Sequence, residues 1–253
     1  MSEEVLVSEA NGVLEVTINR PEARNAMTKT VAEAIAAAMD RLDEEAGLRC
    51  AILTGAGGTF CAGMDLKGFL KGEMPVAGER GFGGLTSWTP NKPVIAAVDG
   101  YALAGGMELA LACDMIVANK GAKFGIPEAK RSLVAAGGGV VQLPRLLPRP
   151  LAMELALTGD PISAERAYDL GLVNRVTDGP AIEAARELAA AIAENGPLAL
   201  IASKGIIRDS WLWPDAEINE RQGPYIAHVF SSEDAKEGAR AFAEKRKPNW
   251  QGK

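Results

Sequence analysis

Val94-Ile95-Ala96-Ala97-Val98, followed by Gly100-Tyr101-Ala102-Leu103-Ala104-Gly105-Gly106-Met107-Glu108, is the stretch on which the fold reading turns. Five apolar residues without polar alternation read as a short strand covered on both faces, as in α/β proteins. Gly100 ends it, small residues follow, and Met107 to Ala112 (MELALA) reads as a helix. Ala51-Ile52-Leu53, ending at Gly55, and Met115 to Ala118 (MIVA) repeat the pattern of a short buried strand.

Outward from this centre, Val13 to Ile18 (VLEVTI) reads as a strand entering a turn at Asn19-Arg20-Pro21. Thr30-x-x-Glu33 has the spacing of a capping box and opens an Ala-rich helix to about Glu45, with Gly47 as its stop. Helices are expected over 138–146, 151–158, 164–170, 181–194 and 197–208, with Ser163 capping the one that ends at Gly171. Leu172 to Val176 reads as a short strand, and the last forty residues as charged helix. Phe69 to Pro90 holds Pro75, Gly72, Gly78, Gly81, Gly83 and Gly84 without periodicity. It reads equally as a mobile surface loop or as a lid over a substrate.

Composition narrows the classes. The 253 residues are 47% hydrophobic and 24% charged, enough for one large core. No run approaches the roughly 18 apolar residues of a membrane helix, so no membrane insertion is expected. Met1-Ser2-Glu3-Glu4 is acidic and lacks an apolar h-region, which predicts neither signal nor transit peptide. A net charge of −6 with no basic stripe argues against nucleic acid as a partner. Cys50, Cys61 and Cys113 have no CxxC spacing and fit thiols in a reducing, cytoplasmic setting. One histidine, His228, excludes His-rich metal sites, and no metal is expected. No GxSxG elbow, P-loop or GxGxxG is present, which leaves carboxylates as the acid and base groups.

Two glycine-bearing junctions follow buried strands: Phe60-Cys61-Ala62-Gly63-Met64-Asp65-Leu66 and Gly100 to Glu108. Each leaves backbone N–H groups free where a strand gives way to a helix. Two such groups aimed at one point would form an oxyanion hole; taken singly, the glycines read as tight turns. Glu108 opens an otherwise apolar helix, and Glu128 follows Phe124-Gly125-Ile126-Pro127. Each alone reads as well as a first-turn charge complementing a helix dipole. Asp99 and Asp114 read as turn or cap residues, and His228 as a helix-surface or interface residue.

These segments resemble the enoyl-CoA hydratase/isomerase (crotonase) superfamily over nearly the whole chain. The resemblance is carried by Asn19-Arg20-Pro21, Arg24-Asn25-Ala26, Phe60 to Leu66, Lys92 to Ala112, Phe124 to Glu128, Gly137-Gly138-Gly139 and Ala241-Phe242-Ala243-Glu244-Lys245-Arg246. It implies a crotonase-like α/β spiral of ββα repeats over residues 1–195, then a helical C-terminal region, 196–253, that serves oligomerisation. The implied assembly is a homotrimer or a dimer of trimers. The implied reaction is reversible syn addition of water to a trans-2-enoyl-CoA, with Glu108 activating water and Glu128 exchanging the α-proton. The backbone N–H groups of Met64 and Gly105 would hold the thioester oxygen. Coenzyme A is then part of the substrate, and no separate cofactor is implied. Its binding would involve Ala23, Arg24, Ala62, Asp65, Leu66 and Lys67, with Phe242 and Lys245 reaching a ligand bound mainly by a neighbouring subunit.

The resemblance leaves the acyl group open. Met64 replaces the small residue usual in hydratases, and Ala135-Ala136-Gly137 replaces a Pro-bearing segment of short-chain enzymes. Gly81 to Thr86 is similar to the carnitinyl-CoA dehydratase branch, and Phe60 to Lys67 to hydratases of bulky, steroid-type acyl-CoAs. An enoyl-CoA isomerase, which can work with one carboxylate, is the rival within the family. A non-catalytic acyl-CoA- or RNA-binding relative is the rival outside catalysis, disfavoured by the acidic balance and the two glutamates.

Overall fold

The computed structural model describes residues 3–253; Met1 and Ser2, where the acidic N-terminal reading begins, lie outside the described residues. Strands β1 (Val5–Ala10) and β2 (Val13–Ile18) form an antiparallel hairpin around Asn11-Gly12. Both turn residues have positive φ, 51° and 78°, as a two-residue hairpin requires, and Asn-Gly is its strongest local signal. β1 is absent from the strands expected above, and that dipeptide is what could have disclosed it.

Helix α1 (Lys29–Glu44) starts earlier than the capping-box spacing predicts. The chain is still extended at Thr28, whose side chain accepts from the Val31 N–H at 3.2 Å. Thr28 is therefore the cap, and Thr30 lies inside the first turn. Then follow β3 (Cys50–Gly55), the short α2 (Leu66–Phe69), β4 (Val94–Val98), β5 (Tyr101–Leu103), α3 (Gly105–Ala112), β6 (Met115–Asn119) and β7 (Lys123–Gly125). After these come α4 (Gly139–Leu146), α5 (Arg149–Thr158), β8 (Ile162–Ser163), α6 (Ala164–Asp169), β9 (Arg175–Thr177) and α7 (Ala181–Ala193). Ser163 caps α6 as expected, accepting from Arg166 N at 3.1 Å. The strand expected over Leu172 to Val176 is displaced. Leu172 and Val173 donate to Ala167 O to close the turn after α6, so the chain reaches β6 only at Asn174, whose N–H donates to Ile116 O, and β9 pairs from Arg175.

After β4 the chain winds between two sheets, placing β4, β6 and β9 in a large one and β5, β7 and β8 in a small one. The large sheet runs β1-β2-β3-β4-β6-β9, parallel except for the first pair. The small sheet runs β5-β7-β8, with β5 and β7 parallel. The apolar runs have no alternation because both faces of the large sheet are covered. Ala51, Leu53, Ala96, Val98, Ile116 and Ala118 face the main core. Cys50, Ile52, Ile95, Ala97 and Val117 face α7, whose Ala181, Ala185 and Ala189 stripe lets that helix lie close. Asp99 acts as a cap, accepting from the N–H of Ala181 at the start of α7. Asp114 accepts from Val94 N and pairs with Lys204 at 2.7 Å.

Within residues 69–90, the stretch from Pro75 to Trp88 folds on itself and onto the core, while Leu70 and Met74 are exposed. Gly83 N donates to Pro75 O, Ala77 N to Gly81 O and Ser87 N to Arg80 O. Leu85 is buried in the main core. The Arg80 guanidinium lies 3.2 Å over the Trp88 ring and pairs with Asp40 on α1.

The end of the chain is helical: α8 (Pro197–Asp209), α9 (Ile218–Phe230) and α10 (Glu233–Glu244). Its aromatic residues divide into two groups. Trp213 and Tyr225 pack together with ring centres 6.3 Å apart, and the Tyr225 hydroxyl donates to Asp209. Trp211 and Phe230 are exposed. Among the described residues no helix is long and apolar enough to cross a membrane.

Candidate active site

The parallel pairing of β5 with β7 brings the two glutamates to one end of the small sheet. Leu103 is opposite Gly125, so the turn to α3 and the turn to Pro127-Glu128 leave side by side. Cys61 bridges in parallel to Ala102, which adds the first glycine junction to the same end. Carboxyl ends of parallel strands are where open α/β sheets place ligands.

Ala104 joins β5 to α3 with φ 52° and ψ −127°, a conformation that a residue with a Cβ rarely adopts. Two bonds hold it there: its N–H donates to Gly125 O and its carbonyl accepts from Glu108 N. The two residues that follow are glycines with no free space for a side chain. A Cβ on Gly105 would lie 2.1 Å from Phe82 Cζ, and one on Gly106 would lie 2.0 Å from Cys61 O. Gly63 is equally close to this turn: a Cβ there would lie 2.8 Å from the Ala104 Cβ and 3.4 Å from Gly105 N. The junctions of Met64 and Gly105 therefore touch. Neither amide donates a backbone hydrogen bond among the described residues.

Glu108 is 5% exposed on the first turn of α3. Its Oε1 accepts from Gly139 N at 2.9 Å. Burial raises its pKa, and the N–H groups of Gly139 and Gly137 hold it back. Both glycines leave the carboxylate its room: a Cβ on Gly137 would lie 2.7 Å from Glu108 Oε2 and one on Gly139 3.2 Å from Oε1. Glu128 stands on the short turn Pro127–Arg131. Its Oε2 is buried without a hydrogen-bond partner among the described residues. Its pKa is pushed up to about 7. Burial is the largest cause, opposed by its own backbone N–H; the Glu108 charge raises it further and Arg131 opposes. Two carboxyls that sense each other thus sit in unequal surroundings, one bonded by amides and one with a bare oxygen.

Of the remaining sequence-predicted residues, Ala23, Arg24, Ala62, Asp65, Leu66 and Lys67 lie beside the first junction. Arg24 O accepts from Ala62 N, and Asn25, fully buried, donates to Ala56 O and Thr59 O. Asp65 caps α2 and pairs with Arg20 at 3.1 Å. Burial would raise its pKa, but the Arg20 guanidinium and the N–H groups of Gly68 and Lys67 take it below the ordinary carboxylate value. Lys67 lines a cavity of about 220 Å³ with Arg20, Lys29 and Lys71. Leu66 is 45% exposed. Phe242 and Lys245 stand apart from this group: Phe242 is 88% exposed on α10, which packs on α9, and Lys245 is that helix's left-handed C-cap. Sequence reasoning passed over Gly137 and Gly139 as holders of Glu108, and Phe82 as the residue against Gly105. The glycine run was a visible signal for the former; nothing local marks the latter.

Comparison with known proteins shows the family and the fold. The profile of the family described as enoyl-CoA hydratase/isomerase matches residues 8–253. Enoyl-CoA hydratase EchA19 of Mycobacterium tuberculosis is 45% identical over 99% of this chain and 97% of its own length. A carnitinyl-CoA dehydratase of Proteus mirabilis is 42% identical over the full length of both. The crystal structure of an enoyl-CoA hydratase from Mycobacterium tuberculosis superposes with a TM-score of 0.97 at 55% identity, covering 99% of each chain. With its crotonase-like spiral, its touching junctions, its buried Glu108 and its half-buried Glu128, the chain belongs to the enoyl-CoA hydratase/isomerase family.

Proposed function

We propose that this enzyme adds water reversibly to the double bond of a trans-2-enoyl-CoA, as a carbon–oxygen lyase. The observation that carries the reading is the pair Glu108 and Glu128 in unequal surroundings at the end of the small sheet. Hydration needs a base for water and an acid for the α-carbon, and two carboxyls in unequal surroundings supply both. Glu108, charge-stabilised by two amides, holds the water and takes its proton as oxygen bonds to the β-carbon. Glu128, with a pKa of about 7, delivers a proton to the α-carbon on the same face. The charge of Glu108 raises the pKa of Glu128, so the two carboxyls titrate as a coupled pair. Negative charge passing onto the thioester oxygen meets the amides of Met64 and Gly105, each such donor contributing about 3–4 kcal/mol to barrier lowering.

Dehydration is the same chemistry in reverse, and the similarity to a carnitinyl-CoA dehydratase supports testing that direction too. Backbone near Ala23, Arg24 and Ala62, with Asp65, Leu66 and Lys67, would hold coenzyme A, the cations Arg20, Lys29, Lys67 and Lys71 facing its phosphates. Coenzyme A enters as part of the substrate, and the chemistry asks for no other cofactor. Phe242 and Lys245 would complete the site of a neighbouring subunit in a homotrimer or dimer of trimers. The exposed Trp211, Phe230 and Phe242 support assembly through the helical region 196–253, apart from a spiral core of 1–195. A cytoplasmic setting suits a thioester enzyme with three free thiols.

Loss of the conjugated-thioester absorbance of an enoyl-CoA tests the reading. Glu108→Gln and Glu128→Gln should each lower kcat by about 10²–10⁴-fold. Near-full hydratase activity in either variant would refute the two-carboxylate mechanism.

A further inference from the structure

Phe82 occupies a place that the proposed chemistry leaves unexplained. Its ring tip and one ring edge carbon would lie 2.1 and 2.3 Å from a Cβ on Gly105, and its own Cβ 3.2 Å from one on Gly137. Gly105 carries the amide aimed at the thioester oxygen, and Gly137 flanks Glu108 Oε2. The side chain therefore runs alongside the line from the carbonyl-holding amide to the water-holding carboxylate. The carbonyl, α and β carbons of an acyl group must lie along that same line.

The backbone beneath Phe82 does not offer a hinge. Phe82 O accepts from Leu85 N and Thr86 N, and Val76 bridges to Phe82 across the turn. On either side of the turn there is no slack. A Cβ on Gly83 would lie 2.6 Å from Leu109 Cδ2, one on Gly84 2.2 Å from Ala32 O, and one on Gly81 2.2 Å from Ser87 Oγ. Leu85 is anchored in the core and Arg80 is clamped between Trp88 and Asp40. A segment packed this closely cannot yield a large volume without breaking core contacts.

We propose that Phe82 is a specificity-determining wall: its side chain, on a fixed turn, restricts the enzyme to acyl-CoAs unbranched at the α and β carbons. Bulk further along the chain passes beyond the ring and is not restricted by it. The inference rests on the hydratase reading for the direction in which the acyl group lies. In a fixed apolar pocket one misplaced methyl changes selectivity by about 10–200-fold.

Isothermal titration calorimetry with butyryl-CoA, 2-methylbutyryl-CoA and 3-methylbutyryl-CoA tests it without turnover. The unaltered protein should bind butyryl-CoA at least about tenfold more tightly than either branched ligand. Phe82→Ala should reduce that preference by about tenfold or more, and Phe82→Leu, which keeps an apolar side chain for packing, should reduce it partway. No preference in the unaltered protein, or an unchanged preference in a folded Phe82→Ala or Phe82→Leu variant, would overturn the proposal. Hydration of crotonyl-CoA by the unaltered protein is measured beside it. If butyryl-CoA binds but crotonyl-CoA is not hydrated, the hydratase reading fails, and the ratios of affinity still decide the role of Phe82.

Discussion

Glu128→Gln removes a charge while keeping the shape of the protonated carboxyl, and so it reads the energetic cost of that charge in the folded enzyme. Below an ordinary value of 4.5 both the folded and unfolded chains hold the proton; between 4.5 and about 7 only the folded chain does. Stability must therefore fall as pH rises through that window and level off above it. A carboxyl carried from 4.5 to about 7 corresponds to about 3 kcal/mol once both states are ionised. Glu128 keeps part of its solvent contact, and screening leaves about 1–2 kcal/mol. For a chain of this size that is roughly 2–8 °C in melting temperature. The assay is thermal unfolding of the natural protein and Glu128→Gln at about pH 5 and about pH 8. The variant should be the more stable protein at the higher pH by that amount, and the gain should shrink at the lower pH. The amide places an N–H₂ where Oε2 has no partner, but that cost is the same at both pH values and cancels in the difference. A gain that does not change with pH, or one larger at pH 5, would refute the burial argument and with it the basis for giving Glu128 the acid role.

Two further outcomes follow from the packing. Gly105→Ala puts a methyl 2.1 Å from Phe82 Cζ, and either the ring or the amide must move. Stability should fall by about 1–3 kcal/mol and kcat/KM for an enoyl-CoA by about 10²-fold. Adding Phe82→Ala should recover much of the stability, a coupling read directly by a double-mutant cycle. Cys50 and Cys61 are fully buried, and burial pushes both thiols up to about 12. Both should stay silent toward a colorimetric disulfide reagent until the chain is unfolded. Fast labelling of either in the native protein, located by mass spectrometry, would contradict this packing.

Much of the fold is local in origin and so legible in order along the chain. Val94 to Val98 is apolar throughout because both of its faces are covered, and uninterrupted short runs are the signature of that environment. Ser163 and Gly171 bracket a helix by their own backbone preferences. The cap at Thr28 is different. Thr28 and Thr30 offer the same hydroxyl, and the extended chain at Thr28, held by the pairing of Met27 with the 63–65 segment, decides between them. The packing within segment 69–90 was not legible locally. Seven glycines and prolines made it look loose, yet Gly83 and Gly84 are there because Leu109 and the backbone of α1 leave no room for a side chain. A glycine needed for close approach and a glycine in a flexible loop are the same letter.

The sequence by itself determined the candidate site's chemical inventory: two glutamates behind glycine junctions, one histidine, and no motif for another class of catalyst. It also determined the family, because the order of those motifs survives any uncertainty about where helices end. Only the tertiary structure decided how the glutamates differ. Glu108 and Glu128 are each a first-turn carboxylate in a string of letters. The parallel register of Leu103 with Gly125 brings them together, and the amides of Gly137 and Gly139 then stabilise one while the other keeps a buried, unpartnered oxygen. Desolvation and hydrogen bonding depend on what surrounds an atom in space, and those surroundings are assembled from segments far apart in the chain.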